Sequence, residues 1–206
     1  SLGGTATKPA VDLPTLRIYN STSASLGYPA KTLEVGSGKS YATIQSAIDA
    51  ASAGDIISVA AGTYTENVTV NKSVEIAGAG QGQTLVIPAA SGPTCSSGGG
   101  SLCAGSSNVF FVAANDVTIH DLTVDGDNPA LTSAINAGGA NLDARNGIIK
   151  STSAAFTNME VYNTTVKNIY LRGIYSTGGS FSFHNNTVSN VQAEYASIAI
   201  FAWGGP

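Results

Sequence analysis

The densest group of side chains that could bind a ligand is an acidic run between residues 116 and 128. It contains Asp116, Asp121, Asp125 and Asp127, followed by Asn128. Carboxylate and amide oxygens are the ligands that hard cations prefer, so the run is a candidate metal or substrate site. The alternative is structural, because Asp125-Gly-Asp-Asn128 also has the composition of a turn whose side chains bond to their own backbone. The sequence leaves both interpretations open.

Three ring side chains occupy equivalent positions in repeated segments of the chain. His120, Tyr162 and His184 each directly follow an apolar residue, so we expect them in one outward-facing column of strand residues. Such a column could bind a sugar by stacking, and the alternative is a row of ordinary solvent-facing residues. The sequence disfavours a metal site shared by the two histidines, because they are expected two or more coils apart, with about 4.8 Å between coils, and metal–nitrogen bonds are only about 2.1 Å long.

The two cysteines lie close together in a stretch of small residues. Cys95 and Cys103 are separated by Ser, Gly and Leu residues only, which lets the two thiols meet easily. This spacing favours a local disulfide and therefore an oxidising compartment. Two free thiols, or half of a metal site, are the alternatives.

Charge and hydropathy exclude several classes of partner. The 206 residues carry nine Lys and Arg against 13 Asp and Glu, a net charge of -4. The basic residues are isolated, whereas nucleic-acid binders cluster them to neutralise phosphates. No apolar run approaches the ~18 residues of a membrane span, so the sequence predicts neither nucleic-acid binding nor membrane insertion. Charged residues are only 11% of the chain, against a usual ~25%, which predicts an unusually uncharged surface.

The elements that would position these residues begin after a flexible lead-in, predicted for residues 1–30. Residues 31–35 read as a strand, 36–40 as a turn, and Thr43 as the N-cap of a helix over 43–52 that closes at Gly54. From Asp55 onward the apolar residues alternate with a period of two, as in short strands separated by Gly or Asn turns. A Gly-rich surface loop over 91–107 interrupts them.

Internal repetition then becomes visible. Segments 117–124, 159–166 and 181–188 superimpose at offsets of 42 and 22 residues, which predicts two apolar columns and a polar column between them. The apolar columns are Ile119, Val161 and Phe183, and Val124, Val166 and Val188; the polar one is Asp121, Asn163 and Asn185. A second match aligns Gly147-Ile148, Gly173-Ile174 and Ser197-Ile198. One repeat per ~22–26 residues predicts a β-solenoid whose coils stack on one another.

The opening of this solenoid is similar to known proteins. Tyr41-Ala-Thr-Ile-Gln-Ser-Ala-Ile-Asp-Ala-Ala, Ala61-Gly-Thr-Tyr-Thr-Glu-Asn-Val68 and Gly78-Ala-Gly80 resemble the start of the pectin-lyase-like superfamily, which includes pectinesterases and β-helix-repeat surface proteins. The resemblance is close over residues 31–88 and looser beyond them. It implies an all-β fold, a right-handed parallel β-helix over residues 31–206, with the helix at 43–52 capping its N-terminal edge.

The resemblance also implies what a catalytic site would need. Pectinesterase-like enzymes use two Asp with Gln and Arg on one strand face, and the sequence offers no such set. Lyase-like members hold Ca²⁺ with acidic residues and abstract a proton with a basic one. On that pattern the acidic run would hold Ca²⁺, and the available cations are Arg145, Lys150, Lys167 and Arg172. Arg145 and Arg172 are then candidate substrate-binding residues, together with the ring column, and whether the chain is an enzyme stays open.

These observations lead to a functional hypothesis with two branches. The chain is expected to be a secreted or cell-surface module that interacts with extracellular polysaccharide, as the N-terminal part of a longer lyase or esterase. The alternative is a non-catalytic structural or adhesive module that self-associates end to end. No capping segment follows Trp203, so we expect further chain, a partner or another copy to cover the C-terminal edge.

Overall fold

A computed structural model describes residues 29–95, 100–193 and 196–204. The predicted lead-in therefore lies outside the described residues, apart from Pro29 and Ala30. Within the described ranges, no helix has the length and apolar character needed to cross a membrane.

The described chain contains one short helix and eighteen strands. The helix α1 spans Ile44–Ala50. The strands are β1 (Thr32–Val35), β2 (Ile56–Val59), β3 (Gly62–Thr65), β4 (Val68–Val70), β5 (Glu75–Gly78), β6 (Thr84–Ile87), β7 (Asn108–Val112), β8 (Val117–His120), β9 (Thr123–Asp125), β10 (Asn136–Ala137), β11 (Ala140–Asn141), β12 (Asn146–Lys150), β13 (Met159–Tyr162), β14 (Thr165–Ile169), β15 (Arg172–Thr177), β16 (Phe181–His184), β17 (Thr187–Val191) and β18 (Ile198–Trp203).

The strands form three parallel sheets, and the chain visits them in turn. Sheet 1 has the order β1-β2-β5-β8-β13-β16, sheet 2 the order β3-β6-β9-β14-β17, and sheet 3 the order β4-β7-β12-β15-β18. After β1 and α1, each circuit adds one strand to every sheet, so successive coils pair with one another. An antiparallel hairpin, β10–β11, projects between β9 and β12. This architecture confirms the predicted parallel β-helix.

The predicted columns agree with the pairing register, with one exception. Val161 pairs with both Ile119 and Phe183, and Val166 pairs with both Val124 and Val188. Their side chains fill the interior between the sheets and are fully buried except in the last coil, where Phe183 and Val188 are partly buried.

The exception lies in the last coil of sheet 3. Ile174 pairs with Ile148 as predicted, but its next partner is Ile200 and not Ile198, which pairs with Arg172. The repeat there stays at 26 residues. Gly173 precedes Ile174 because a Cβ at that position would lie 2.3 Å from the carbonyl oxygen of Ala199. The match of Ser197-Ile198 to Gly173-Ile174 was therefore wrong by two residues.

The predicted polar column forms the turn between sheets 1 and 2. Asp121, Asn163 and Asn185 have φ values of 56°, 47° and 53°. Asn and Asp tolerate this left-handed conformation better than other non-glycine residues. One such residue turns the chain through the same angle in each coil, which keeps the strands on both sides of it in register.

The helix α1 covers the N-terminal edge, as predicted. Thr43 is its N-cap and accepts a hydrogen bond from the backbone N–H of Ser46. Glu66 accepts two more, from the backbone N–H groups of Ile44 at 2.8 Å and Gln45 at 3.0 Å. Glu66 belongs to segment 61–68, which is one of the segments that carry the resemblance. In this protein that segment therefore holds α1 in place.

The end of α1 differs from the prediction. The helix stops at the extended residue Ala51, and Gly54 lies in the following turn with φ of 90°. A sequence rule that places a left-handed glycine directly after the last helical residue therefore extended the helix by about two residues. The backbone N–H of Ala51 bonds to the carbonyls of Ala47 and Ile48, which closes the last turn without a glycine.

The C-terminal edge is formed by β16, β17 and β18, the last strands of their sheets. Ile200 is 45% exposed and Trp203 is 72% exposed. Within the described residues no segment covers this edge, and a cover from further chain, a partner or another copy stays a prediction.

Replacing Glu66 tests the link between α1 and the first coil. We expect Glu66→Ala to lower the unfolding free energy by about 1.5–3 kcal/mol, because charge-assisted hydrogen bonds to two helix N–H groups are lost. Urea unfolding measures this change. Glu34→Ala is the matched control, because its ion pair with Lys39 at 3.1 Å is exposed on both sides and should change stability by less than about 1 kcal/mol. Equal effects of the two variants would contradict the capping role.

Candidate functional site

The acidic run is divided among different turns. Asp116 precedes β8 and accepts a hydrogen bond from the Asn158 amide of the next coil at 2.7 Å. Asp121 follows β8, and its Oδ2 lies 2.7 Å from Nδ1 of His120. Each carboxylate therefore has a side-chain partner of its own, as the turn interpretation expects.

Asp125 and Asp127 lie further on, where the chain leaves sheet 2. Asp125 is almost buried, pairs with Lys167 at 2.9 Å and accepts a hydrogen bond from the Asn168 amide at 2.7 Å. Burial raises the pKa of Asp127, and the negative charges of Asp125 and Asp143 raise it further, while the Asn141 backbone N–H and Lys167 act in the opposite direction. Asn128 is buried, and its amide donates to the Pro88 carbonyl at 2.8 Å.

Among the described residues, no group of three or more His, Cys, Asp or Glu side chains is arranged to hold a metal ion. Ca²⁺ binding within the run of Asp116, Asp121, Asp125 and Asp127 stays a prediction. The site would have to be smaller than the run, because Asp116 and Asp121 are engaged elsewhere.

The predicted ring column forms a continuous stack on the outer face of sheet 1. The ring centroids of His120 and Tyr162 are 4.5 Å apart, and those of Tyr162 and His184 are 5.0 Å apart. Adjacent ring planes differ by only 7° and 3°. Tyr162 is therefore covered on both faces, and His120 and His184 are each covered on one, which leaves less aromatic face for a sugar than separate rings would offer.

Carboxylates surround this stack. Glu75 Oε1 lies 3.1 Å from His120 Nε2, and Glu160 Oε1 lies 3.4 Å from His184 Nε2. Burial raises the pKa of Tyr162, and the charges of Glu75, Asp121 and Glu160 raise it further. The outer face of sheet 1 is thus negative around the rings, which disfavours binding of an anionic polymer.

Arg145 supports a loop and is not available to a substrate. Its side chain is 5% exposed, and its guanidinium donates to the carbonyls of Pro93 and Gly100, both at 2.8 Å. Pro93 precedes Cys95, and Gly100 lies within the loop that the disulfide between Cys95 and Cys103 closes. The prediction of the disulfide is confirmed, and Arg145 anchors the loop that contains it.

Arg172 lies at the edge of the same loop but remains partly exposed. Its Nε donates to Ser101 Oγ at 3.0 Å, another guanidinium nitrogen donates to the Ala196 carbonyl, and its charge lies 5.1 Å from the ring centroid of Tyr175. Tyr175 stacks on Phe201 at 5.0 Å. Trp203 follows two residues later on the same face, with its ring largely free.

This aromatic group escaped the sequence analysis, although a signal for it existed. Tyr175 and Phe201 are 26 residues apart and directly paired, at the spacing that relates Ile148 to Ile174. The incorrect alignment of Ile198 concealed the match. Among the described strands of sheet 3, Lys150 and Arg172 are the only charged residues, and none is acidic.

Lys150 is inside the β-helix. It pairs with the core residue Val112, is fully buried, and donates to the carbonyls of Phe156, at 2.7 Å, and Gly178. Burial lowers the pKa of its amine. Lys150 therefore cannot act as a base on an external substrate. Lys167, the remaining cation, is paired with Asp125.

The comparisons with known proteins agree with this fold. No protein family and no curated protein matches the chain by sequence. Among solved structures, a pectin methylesterase in complex with hexasaccharide VII superimposes with a TM-score of 0.53 and 21% identity. Pectin methylesterase PemA from Erwinia chrysanthemi and a pectin methylesterase variant in complex with hexasaccharide IV each give 0.52 and 19%.

The matched region covers 80% of this chain and 51% of each pectin methylesterase chain. The chain therefore spans about half the length of these structures. At such identities the likeness establishes the fold alone, which is the parallel β-helix that the sequence resemblance implied.

Removing the disulfide should weaken the loop and leave the coils folded. On the chain-entropy estimate, a closed loop of this size contributes about 2.5 kcal/mol, so Cys95→Ser with Cys103→Ser should lower the unfolding free energy by that order. Urea unfolding followed by far-UV circular dichroism measures both effects. As a control, a reducing agent should leave the double variant unchanged. Loss of the strand signal when the wild-type protein is reduced would show that the coils depend on the disulfide.

The buried amine of Lys150 predicts a pH-dependent stability. Because its pKa in the folded state is below the ordinary 10.5, the unfolded chain binds more protons between the two values, and the unfolding free energy contributed by Lys150 rises with pH up to about 10.5. Lys150→Met should remove this rise. The measurement is the difference in urea unfolding between wild type and variant at pH 8, 9 and 10. A difference in unfolding free energy that does not change with pH would contradict the prediction that burying the charged amine of Lys150 destabilises the fold.

Proposed function

We propose that the chain is a secreted or cell-surface module that binds an acidic polysaccharide on the outer face of sheet 3. The observation that supports this most directly is the chemistry of that face. Its C-terminal coils present Arg172, Tyr175, Phe201 and Trp203 without an acidic residue among the described strands of the sheet.

Two kinds of contact suit a uronate chain. A guanidinium binds carboxylates through charge-assisted hydrogen bonds, which are stronger than neutral ones, and Arg172 is partly exposed beside the loop. The exposed Trp203 ring offers a face on which the C–H groups of a sugar can pack. The outer face of sheet 1 has neither property, because its rings are stacked and its neighbours are Glu75 and Glu160.

The solved neighbours support the substrate class. Two of them are pectin methylesterases in complex with hexasaccharides, and pectin is an acidic polysaccharide. The disulfide is consistent with an extracellular location, because disulfides persist in oxidising compartments. In this proposal the chain is the N-terminal part of a longer carbohydrate-active protein of the esterase or lyase type.

The second candidate function is a structural or adhesive module that self-associates through its C-terminal edge. The observation that favours it is the exposure of Ile200 and Trp203 at the last strand. Unpaired strand edges with apolar side chains are templates for pairing with another chain. Trp203 would contribute to both candidate functions, so the experiments must distinguish polysaccharide binding from self-association.

Titration calorimetry with hexagalacturonate tests the first proposal. We expect Arg172→Ala to weaken binding about tenfold or more, because a charge-assisted hydrogen bond to a carboxylate is lost. Trp203→Ala should also weaken it, and the fully methyl-esterified hexasaccharide should bind less tightly. Tyr162→Ala is the matched control on sheet 1 and should bind as wild type does. Weaker binding by Tyr162→Ala with Arg172→Ala unchanged would move the site to sheet 1.

Light scattering addresses the second candidate. A mass that rises with protein concentration and returns to that of a monomer in Ile200→Ser, without any binding of hexagalacturonate, would favour the self-associating module. A constant monomer mass with saccharide binding would favour the polysaccharide site.

A further inference from the structure

The excursion between β9 and β12, residues 126–145, brings two carboxylates together near its base. Asp127 lies at its start and Asp143 at its end. The backbone N–H of Asn128, the residue after Asp127, donates to Asp143 Oδ2 at 3.1 Å, and the charge of Asp143 raises the pKa of Asp127. The start of the excursion thus donates to the acidic residue at its end.

Asp143 carries an unexplained polar atom. The residue is 0% exposed, and its Oδ1 has no hydrogen-bond partner. A buried carboxylate is expensive unless its oxygens are hydrogen-bonded, paired with a cation or bound to a metal ion, and Oδ1 of Asp143 has none of these partners in the described structure. No Lys, Arg or His in the described ranges forms an ion pair with Asp143.

Arg145, at the end of the excursion, and Lys167, whose charge acts on Asp127, are already engaged. The guanidinium of Arg145 donates to the carbonyls of Pro93 and Gly100, and Lys167 pairs with Asp125 at 2.9 Å. The charges of Asp125 and Asp143 both act on Asp127. Asp125, Asp127 and Asp143 therefore share one ammonium group, that of Lys167. Asp143, whose Oδ1 has no partner, is the most deeply buried of the three.

We propose that Asp127 and Asp143 bind a divalent cation of the Ca²⁺ type at the base of this excursion. Carboxylate oxygens suit a hard cation, and amide, main-chain and water oxygens complete such sites. Two acidic ligands instead of three or more place the affinity in the weak range of extracellular modules, a Kd of about 10⁻⁴–10⁻³ M. Asp116 and Asp121 take no part, because they bond to Asn158 and His120.

The position of the site gives the ion a structural effect. The hairpin β10–β11 belongs to the same excursion, and its Ala137 carbonyl accepts a hydrogen bond from the Asn190 amide at 3.0 Å. A cation at the base of the excursion therefore stabilises a contact that reaches from the coil of β9 to the coil of β17. This inference does not depend on polysaccharide binding.

Thermal unfolding with and without Ca²⁺ tests the proposal. Wild-type protein treated with EDTA and then supplied with 10 mM CaCl₂ should unfold several degrees higher than in NaCl of equal ionic strength, because the ion binds the folded state. Asp143→Asn and Asp127→Asn should each abolish the rise. Asp116→Asn, an acidic residue of the same run, is the matched control and should keep it.

Titration calorimetry of wild-type protein with CaCl₂ alone provides a second readout, which remains informative if Asp143→Asn fails to fold. A saturable heat that is lost in Asp127→Asn supports the site. An absence of both the heat and the rise in unfolding temperature would overturn it, and so would a rise that Asp127→Asn retains. Increased stability of Asp143→Asn without Ca²⁺, in a protein that does not respond to the ion, would show that a proton neutralises Asp143 instead.

Discussion

Main-chain hydrogen bonding between successive coils governs the position of every strand residue in this protein. Parallel strands in three sheets place each residue directly over its counterpart one coil earlier, so equivalent residues stack in columns. Inside the β-helix this brings Val124, Val166 and Val188 together. Outside, the same register places the Tyr162 ring between His120 and His184. The outer stack is thus a consequence of the pairing as much as of any attraction between the rings.

Stacking by register also determines which aromatic rings keep a face open to a ligand. A ring that has counterparts in both neighbouring coils loses both of its faces, whereas one without a stacked ring keeps them. Trp203 pairs with Thr177, which has no ring, and this explains its high exposure. A column likewise repeats its charge: Glu75 and Glu160 flank Thr118 in one column on sheet 1, whereas the strands of sheet 3 bring no carboxylate.

The sequence predicted those features that follow from the period of the chain. The columns of sheets 1 and 2, the left-handed Asp and Asn turns and the cap helix were all visible as repeats or local signals. The roles of Arg145 and Lys150 were not, because they depend on where a loop crosses and on which side of a strand faces the interior. Asp143 had no local signal at all, since its burial results from an excursion folding back on itself. The disulfide was visible because two cysteines eight residues apart need only a flexible loop.

The connections between the sheets divide the molecule into a constant part and a variable part. Between sheets 1 and 2, three coils use a two-residue turn that begins with a left-handed residue. Between sheets 2 and 3, the connection is two residues before β15 but twenty before β7. Insertions are thus tolerated along the corner of the β-helix between sheets 2 and 3 without disturbing the register of any strand. Along that corner new loops, bridges and binding groups can be gained or lost in evolution while the core stays unchanged.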